Sequence, residues 1–425
     1  MKRLLIRASF DPYRYDKATD YLLTAHAGMN SGNLMFAYGV MNVLTTEDTV
    51  IDSTYKHSFT EQDAVEINEK YDAFILPMAD AFRDEFVNSL KEYTKLIRQL
   101  KIPVIVIGIG LRAKLGEDPL LPHSFDQVAY EFVKEVLEHS ALIGLRGRNT
   151  AKFLEKFGFK EGRDLVPIGC PSLYTYGASI HTRALQNLNS LVINTNTLAP
   201  RNVSDFIIRS ANKSDKFYLV QQKYYEMRDI LVGNHTFLGR QTVENVFDSE
   251  TFLYLNKEDR IRYFFNVPEW IDFMEDKSLF LGNRFHGTVA AILGGIPHVM
   301  IPIDARTKEL ADFHHITSLN PSDLEGDKTI FDYFEKLDFK SFEKNHKQNF
   351  LNYLDFLNKN GLSHIFSKSS EVKRGESLME RNCFNNCPEI LHPILSLSNA
   401  ERWKRIIKTD FLIGKAAIKK YLKRS

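Results

Sequence analysis

The sequence predicts an α/β chain in which two similar domains each carry a parallel sheet flanked by helices. Three observations lead there. Short apolar runs rich in β-branched residues alternate with longer segments of helical period, the pattern of strands joined by crossover helices. The alternation comes as two successive series, separated by "YGASIHTRALQNL", a stretch without strong apolar period that sets a boundary near 178–188. At 425 residues the chain also exceeds what one hydrophobic core serves.

The first series, residues 1–180, places strands at "LLIRAS", "TVIDST", "DAFILPM", "IPVIVIGIG", "ALIGLR" and "LVPIGCPS". Between them the period predicts helices at roughly 33–45, 84–99, 125–139 and 148–158, the last closed by Gly158. The second series, residues 188–327, has strands at "NSLVINTN", "KFYLVQQK", "SLFLGNRF" and "HVMIPI", with helices from about Gly287 to Leu293 and over "TKELADFHH". Residues 328–365 carry Phe, Tyr and Leu at helical spacing and are expected to fold back on the body. Residues 366–425 form an extension, and the stretch 223–262 gives no clear signal.

Composition excludes several classes. With 44% hydrophobic residues, 26% charged residues and a net charge of +1, the chain reads as a soluble globular protein, and nucleic-acid binding is disfavoured. No run of ~18 apolar residues is present to span a bilayer, and "MKRLLIRASFDPY" lacks the long apolar stretch and cleavage site of a signal peptide, so a cytoplasmic location is expected. Three cysteines make no disulfide framework. Cys383 and Cys387 in "CFNNCP" lack a second ligand pair, and no acidic cluster has metal-ligand spacing, so no metal is expected.

The C-terminal stretch 401–425 holds nine Lys and Arg against two acids, with Trp403, Ile406, Ile407, Phe411, Ile418 and Leu422 near one helical face. It reads either as a charged helix packed on the body or as an amphipathic helix able to lie on an anionic membrane surface.

The chemistry concentrates where strands hand over to helices, because ligands of open α/β sheets bind beyond the carboxyl ends of the strands. In "SLFLGNRFHGTVAAILGG" the turn between strand and helix holds Arg284, Phe285, His286 and Gly287. Arg284 offers a planar fork for a carboxylate or phosphate, Gly287 a close approach to the backbone, and His286 a group that exchanges protons near neutrality. The other role open to this pair is structural: Arg284 paired with an acid and His286 capping the helix. In "ALIGLRGRNTAKFLEKFGF" the equivalent turn carries Arg146 and Arg148, with Asn149 and Thr150 available as caps. Facing arginines from two domains suit a compact ligand with two anionic groups.

A third feature is the polar loop opening "HAGMNSGNLMFAYGVMNVL", where Gly28, Asn30, Gly32 and Asn33 precede a helix and offer contacts to a phosphate or to sugar hydroxyls, with His26 at its edge. Neither this loop nor "GIG" at 108–110 has the spacing of a dinucleotide fingerprint. Asp304 and Arg306 in "PIDART" follow a strand end and so belong to the functional edge of the second domain; His314 and His315 close the following helix and read as capping or interdomain residues.

Together these motifs resemble the polysaccharide pyruvyl transferase family. The resemblance runs through "NSGNLMFAYGV", "GLRGRNTAKFLEKFG", "GCPSLY" and "GNRFHGTVAAILGGIPHVMIPID" with "RTKEL", and covers about 1–320. The last motif is the most specific of these. The resemblance implies two facing Rossmann-like domains, GT-B-like, and transfer of the enolpyruvyl carbons of phosphoenolpyruvate to two hydroxyls of a sugar, with a cyclic ketal formed and phosphate released. The acceptor is expected to be a surface polysaccharide, such as a capsule or exopolysaccharide, or its lipid-linked precursor. Carried over by position, Arg284 and His286 are the donor-site and catalytic residues, and Arg146 or Arg148 with Gly287 complete the donor contacts. His26, Asn30, Gly32, Asn33, Asp304 and Arg306 are assigned to the acceptor. No cofactor is implied beyond phosphoenolpyruvate as substrate. One departure stands out: Asn33 occupies the place where the family commonly has Asp, which removes a carboxylate from that loop.

Two other functions fit the same architecture: a glycosyltransferase using a nucleotide sugar, and a catalytically silent glycan-binding protein. The first needs a base-and-ribose pocket, for which the arginine-bearing turns show no partner acid. The second predicts loss of the arginine or histidine at the turns, and both are kept.

Overall fold

The computed structural model describes residues 1–9, 30–185, 189–196, 198–232, 249–383 and 391–422. Four strands, β1 (Lys2–Arg7), β2 (Thr49–Thr54), β3 (Ala73–Pro77) and β4 (Val104–Ile107), run parallel in the order β2-β1-β3-β4. The parallel pair β5 (Ile143–Leu145) and β6 (Leu165–Pro167) lies alongside β4: the Gly144 carbonyl accepts from the Gly108 and Ile109 N–H groups at 2.8 and 3.1 Å. Every residue of β3, β4 and β5 is buried, which is why these strands read as unbroken apolar runs. Five helices accompany this sheet: α1 (Gly32–Leu44), α2 (Glu61–Lys70), α3 (Val87–Ile97), α4 (Asp126–Leu137) and α5 (Arg148–Glu155).

The second sheet is also parallel, with β7 (Leu191–Asn194), β8 (Phe217–Val220), β9 (Ile261–Arg262), β10 (Leu279–Gly282) and β11 (His298–Met300) in the order β11-β10-β7-β8-β9. Its helices are α6 (Arg201–Lys213), α7 (Tyr224–Val232), α8 (Ser249–Lys257), α9 (Val267–Glu275), α10 (Phe285–Leu293) and α11 (Ala305–His314). The chain is thus an α/β protein of two Rossmann-like domains. In the first sheet the strand order reverses between β1 and β3, in the second between β7 and β10. In open α/β sheets such switch points are where ligands bind.

Helix α1 joins the halves. Its sequence is apolar nearly all round, and every residue except Asn33 is buried. It packs against the turn at Pro171–Tyr174, against α9 and α10 of the second domain, and against α13 (Leu378–Cys383). Gly39 makes the closest approach possible, since a Cβ there would lie 2.6 Å from the Cα of Ser172. The long helix α12 (Lys340–Lys359) buries Phe342, Phe350, Tyr353 and Phe356, and the Asn360 side chain that follows accepts from the Ala141 and Leu142 N–H groups of the first domain. Glu380 on α13 accepts from the hydroxyls of Tyr38 and Tyr176 at 2.5 and 2.9 Å. The chain closes with α14 (Asn399–Leu422). Among the described residues no helix is long and apolar enough to cross a membrane.

Helices α7 and α8 and strand β9 fall in or at the edge of the stretch 223–262 that gave no clear signal, and three further helices depart from the sequence expectation. Helix α2 buries only Ala64 and Ile67, so its apolar period is faint; a capping box between Thr60 and Asp63 defines its start instead. Strand β9 has two residues at a sheet edge, too short to show alternation. Helices α6 and α9 do carry buried faces, Val203–Phe206–Ile207 and Val267–Trp270–Ile271–Met274, and obey the periodicity rule without having been expected.

Candidate functional site

At the switch point of the second sheet, Asn194 ends β7 and Arg284 follows β10. The residues expected to form a turn are mostly helical: Arg284 is the N-cap, and Phe285, His286 and Gly287 are the first turn of α10. Asn194 accepts from the Arg284 N–H at 3.2 Å, and a Cβ on either Gly282 or Gly287 would lie 2.2 Å from its side chain. The room at Gly287, expected to admit a ligand, is therefore taken up by Asn194. The Arg284 side chain is 6% exposed; its Nε donates to the Thr195 carbonyl at 2.8 Å and its Nη2 to Glu226 at 2.7 Å. The second oxygen of Glu226 accepts from the Gln222 and Lys223 N–H groups, closing the start of α7. Of the two roles open to Arg284, this internal ion pair is present, and Nη1 is the nitrogen outside these contacts.

His286 points across to the first domain. A Cβ on Gly32 would lie 2.6 Å from its Nδ1, so only glycine lets the ring sit against the start of α1. Its Nε2 lies 3.8 Å from the buried Cys170 sulfur, which in turn is 2.9 Å from the Ser172 hydroxyl. Burial, reinforced by the Arg146 and Arg306 guanidinium groups, pushes the imidazole pKa down to about 3, so the ring is neutral near pH 7.

The two arginines of the first-domain turn are separated sharply. Arg148 begins α5 and is exposed. Arg146, at the end of β5, is 2% exposed, with its Nε and one terminal nitrogen buried and lacking a hydrogen-bond partner. Its guanidinium lies 5.9 Å from the Phe36 ring, whose centre is 6.4 Å from that of His286. Burial lowers the pKa of Arg146; Cys170, Asp80 and Glu309 counteract this and Arg306 adds to it. Neither Asn149 nor Thr150 caps α5 with its side chain. The Glu309 carboxylate of α11 does it from the other domain, accepting from the Thr150 N–H at 2.7 Å and its hydroxyl at 3.1 Å.

Asp80, just beyond β3, gathers the remaining cations. It pairs with Arg83 at 2.7 Å, Arg112 at 2.8 Å and, across the domains, Arg306 at 3.2 Å. Burial opposes its charge, but Arg306, Arg83, Arg112 and Arg146 outweigh that and hold the carboxyl far below the ordinary range. Arg306, expected at the acceptor, is thus engaged with Asp80 and Asp304, while Asp304 forms a capping box with Thr307 at the start of α11. Lys223, which pairs its backbone with Asn30, has its pKa lowered by burial and by Arg284, Arg306 and Arg112, with Glu226 opposing.

A cleft of about 350 Å³ opens at the switch point of the first sheet, over the ends of β1 and β3. Arg7, Tyr55, His57, Asp80 and Phe86 line it, with Asn33 and Phe36 from α1. Of the residues assigned to the acceptor from sequence, Asn33 lines it; Gly32 abuts His286, and Asn30 accepts from the Gly32 N–H at 2.9 Å. His26 and Gly28 lie outside the described residues, as does Cys387. Sequence reasoning missed Arg7, Asp80, Cys170, Lys223, Glu226 and Glu309. The first four sit at or just past strand ends, a signal that the carboxyl-edge rule makes available.

Fold and site together define a two-domain α/β protein in which buried Arg146 and Arg284 and a neutral His286 lie at the carboxyl edges of the two sheets. The polysaccharide pyruvyl transferase model matches residues 30–305, and the chain belongs to that family. No curated protein matches the sequence. Among solved structures, S. aureus MnaA with UDP is similar at 11% identity and a TM-score of 0.41, over 88% of this chain and 100% of that one. The UDP-GlcNAc 2-epimerase of Methanocaldococcus jannaschii, in complex with UDP-GlcNAc and UDP, gives 13% and 0.42, over 84% and 99%. The glycosyltransferase SnogD of Streptomyces nogalater gives 10% and 0.33, over 84% and 95%. Likeness at this level does not bear on function.

Proposed function

We propose that this family member transfers the pyruvate unit of phosphoenolpyruvate to two hydroxyls of one sugar, in a capsule or exopolysaccharide or its lipid-linked precursor, at the cytoplasmic face of the membrane. The observation that carries this reading is Arg146: a buried guanidinium with two nitrogens unpaired, beside His286 and between the domains. A buried, unpaired cation is costly, and an anion supplied by a substrate offsets that cost. Phosphoenolpyruvate offers a carboxylate and a phosphate on three carbons, which matches Arg146 with Arg306, Lys223 and the Nη1 of Arg284 as its surroundings.

In the proposed chemistry a proton is added at C3 of the donor and C2 becomes cationic. One sugar hydroxyl attacks C2, phosphate departs with its bonding pair, and the second hydroxyl closes the ketal, the two hydroxyl protons leaving to base. His286 is the proton carrier. Its neutral ring cannot protonate C3 until its pKa rises, and a dianion placed among these arginines raises it by reversing the local field. The acceptor sugar lies in the first-domain cleft, where Tyr55 and Phe86 supply apolar faces and Asn33 and Asp80 polar contacts. No metal or further cofactor enters these steps.

The test is incubation with phosphoenolpyruvate and a set of model or lipid-linked glycosides, followed by mass analysis for a gain of one pyruvate less one water. Thermal stabilisation by phosphoenolpyruvate, against a panel of nucleotide sugars, separates this donor from that of a glycosyltransferase. Stabilisation by a nucleotide sugar alone would replace the reading.

A further inference from the structure

Helix α14 meets the body along one side. Thr409 is buried there, and on the same side Arg402 donates to the Leu395 and Leu397 carbonyls at 2.9 and 3.1 Å and Arg405 to that of His392 at 2.5 Å. The opposite side is open. Trp403, Ile407 and Phe411, each four residues after the last, are 65, 65 and 69% exposed. At that spacing they form one stripe over two turns of helix. Lys404, Lys408 and Lys415 are exposed along its edge, with Asp410 the acid beside it; Glu401, at the start of the helix, accepts from Ser398.

We infer that this stripe is the face by which the chain lies on an anionic lipid bilayer. Three large apolar side chains aligned in solvent mark a contact surface rather than scattered exposure. Charge selects the occupant. A second copy of α14 would bring like-charged lysine rows together; a nucleic-acid duplex, its bases stacked inside, would leave all three apolar side chains unused, and a single strand would stack on the rings but leave Ile407 in solvent. A bilayer with anionic headgroups satisfies both features: the apolar stripe enters the headgroup and acyl boundary while the lysine stems extend to the phosphates. The inference goes beyond the pyruvyl-transfer reading and stands apart from it.

The experiment is sedimentation of the full chain with vesicles of phosphatidylcholine alone or with about one third phosphatidylglycerol. Wild type is expected to partition onto the anionic vesicles about tenfold or more above the neutral ones, with a blue shift of Trp403 emission. The triple variant Trp403→Glu, Ile407→Glu, Phe411→Glu, which alters exposed positions and keeps the melting temperature, should lose sedimentation. Replacing Lys404, Lys408 and Lys415 by Gln should weaken partition about fivefold per charge. Equal behaviour of wild type and the triple variant, or no sedimentation of wild type on either vesicle, overturns the inference. So does a concentration-dependent dimer, seen by analytical ultracentrifugation, that the triple variant abolishes.

Discussion

The Nη2 of Arg284 and a carboxylate oxygen of Glu226 meet at 2.7 Å with both side chains buried, at the carboxyl edge of the second sheet. The pair ties the β10–α10 junction to the start of α7, because the other Glu226 oxygen holds the Gln222 and Lys223 N–H groups. Glu226→Gln leaves the guanidinium without its counter-charge and is expected to cost about 3 kcal/mol of stability. Urea denaturation of the variant beside wild type measures this; an unchanged midpoint would mean the pair is held open in solution.

Arg146 predicts the reverse. Its unpaired nitrogens make it a poor contributor to the fold, so Arg146→Met should leave the melting temperature unchanged or higher. The same variant should weaken phosphoenolpyruvate binding by about 10- to 100-fold, the loss of one or two charge-assisted hydrogen bonds. Calorimetry with the donor reads the second effect. Exposed Arg148→Met should change neither.

His286→Ala is expected to lower turnover by about 100-fold or more while donor affinity changes less, since the ring is assigned to proton transfer rather than to holding the anion. Steady-state kinetics decides it. Wild-type turnover would remove His286 from the chemistry.

The histidine also predicts a pH dependence. Its pKa is about 3 in the folded chain against an ordinary 6.5, so between those values the unfolded chain binds a proton that the folded chain does not. Stability from this ring is complete above pH 6.5 and is lost as pH falls toward 3. His298 and His346, both lowered by burial to about 4, add the same trend, so the readout is a difference: His286→Gln should flatten the curve relative to wild type. Adding phosphoenolpyruvate should move the His286 NMR titration upward.

Glu309 caps a helix in the opposite domain, so Glu309→Ala is expected to cost about 1 kcal/mol or more. It should also raise amide exchange at the start of α5, which hydrogen exchange with mass detection resolves.

Much of this organisation was legible in the chain. The six apolar runs of the first series fall on β1 to β6, and "SLFLGNRFHGTVAAIL" marks β10 and α10 to within two residues. The strand ends then pointed to Arg146, Arg284 and His286. What could not be read was which arginine faces inward. Arg146 and Arg148 flank Gly147, and the rotation of the chain as β5 passes into α5 buries the first and exposes the second.

The order of strands and helices, the two-domain division and the family were set by local periodicity and short motifs, because hydrophobic spacing acts over a few residues. Tertiary structure alone decided the partners. Glu226 lies 58 residues from Arg284, and Glu309 lies 159 from Thr150, separations at which no local pattern can say which charges meet. The same packing left two nitrogens of buried Arg146 without a hydrogen-bond partner. Whether an arginine is satisfied or available to a ligand depends on its desolvation and its neighbours, and both exist only once the two sheets have come together.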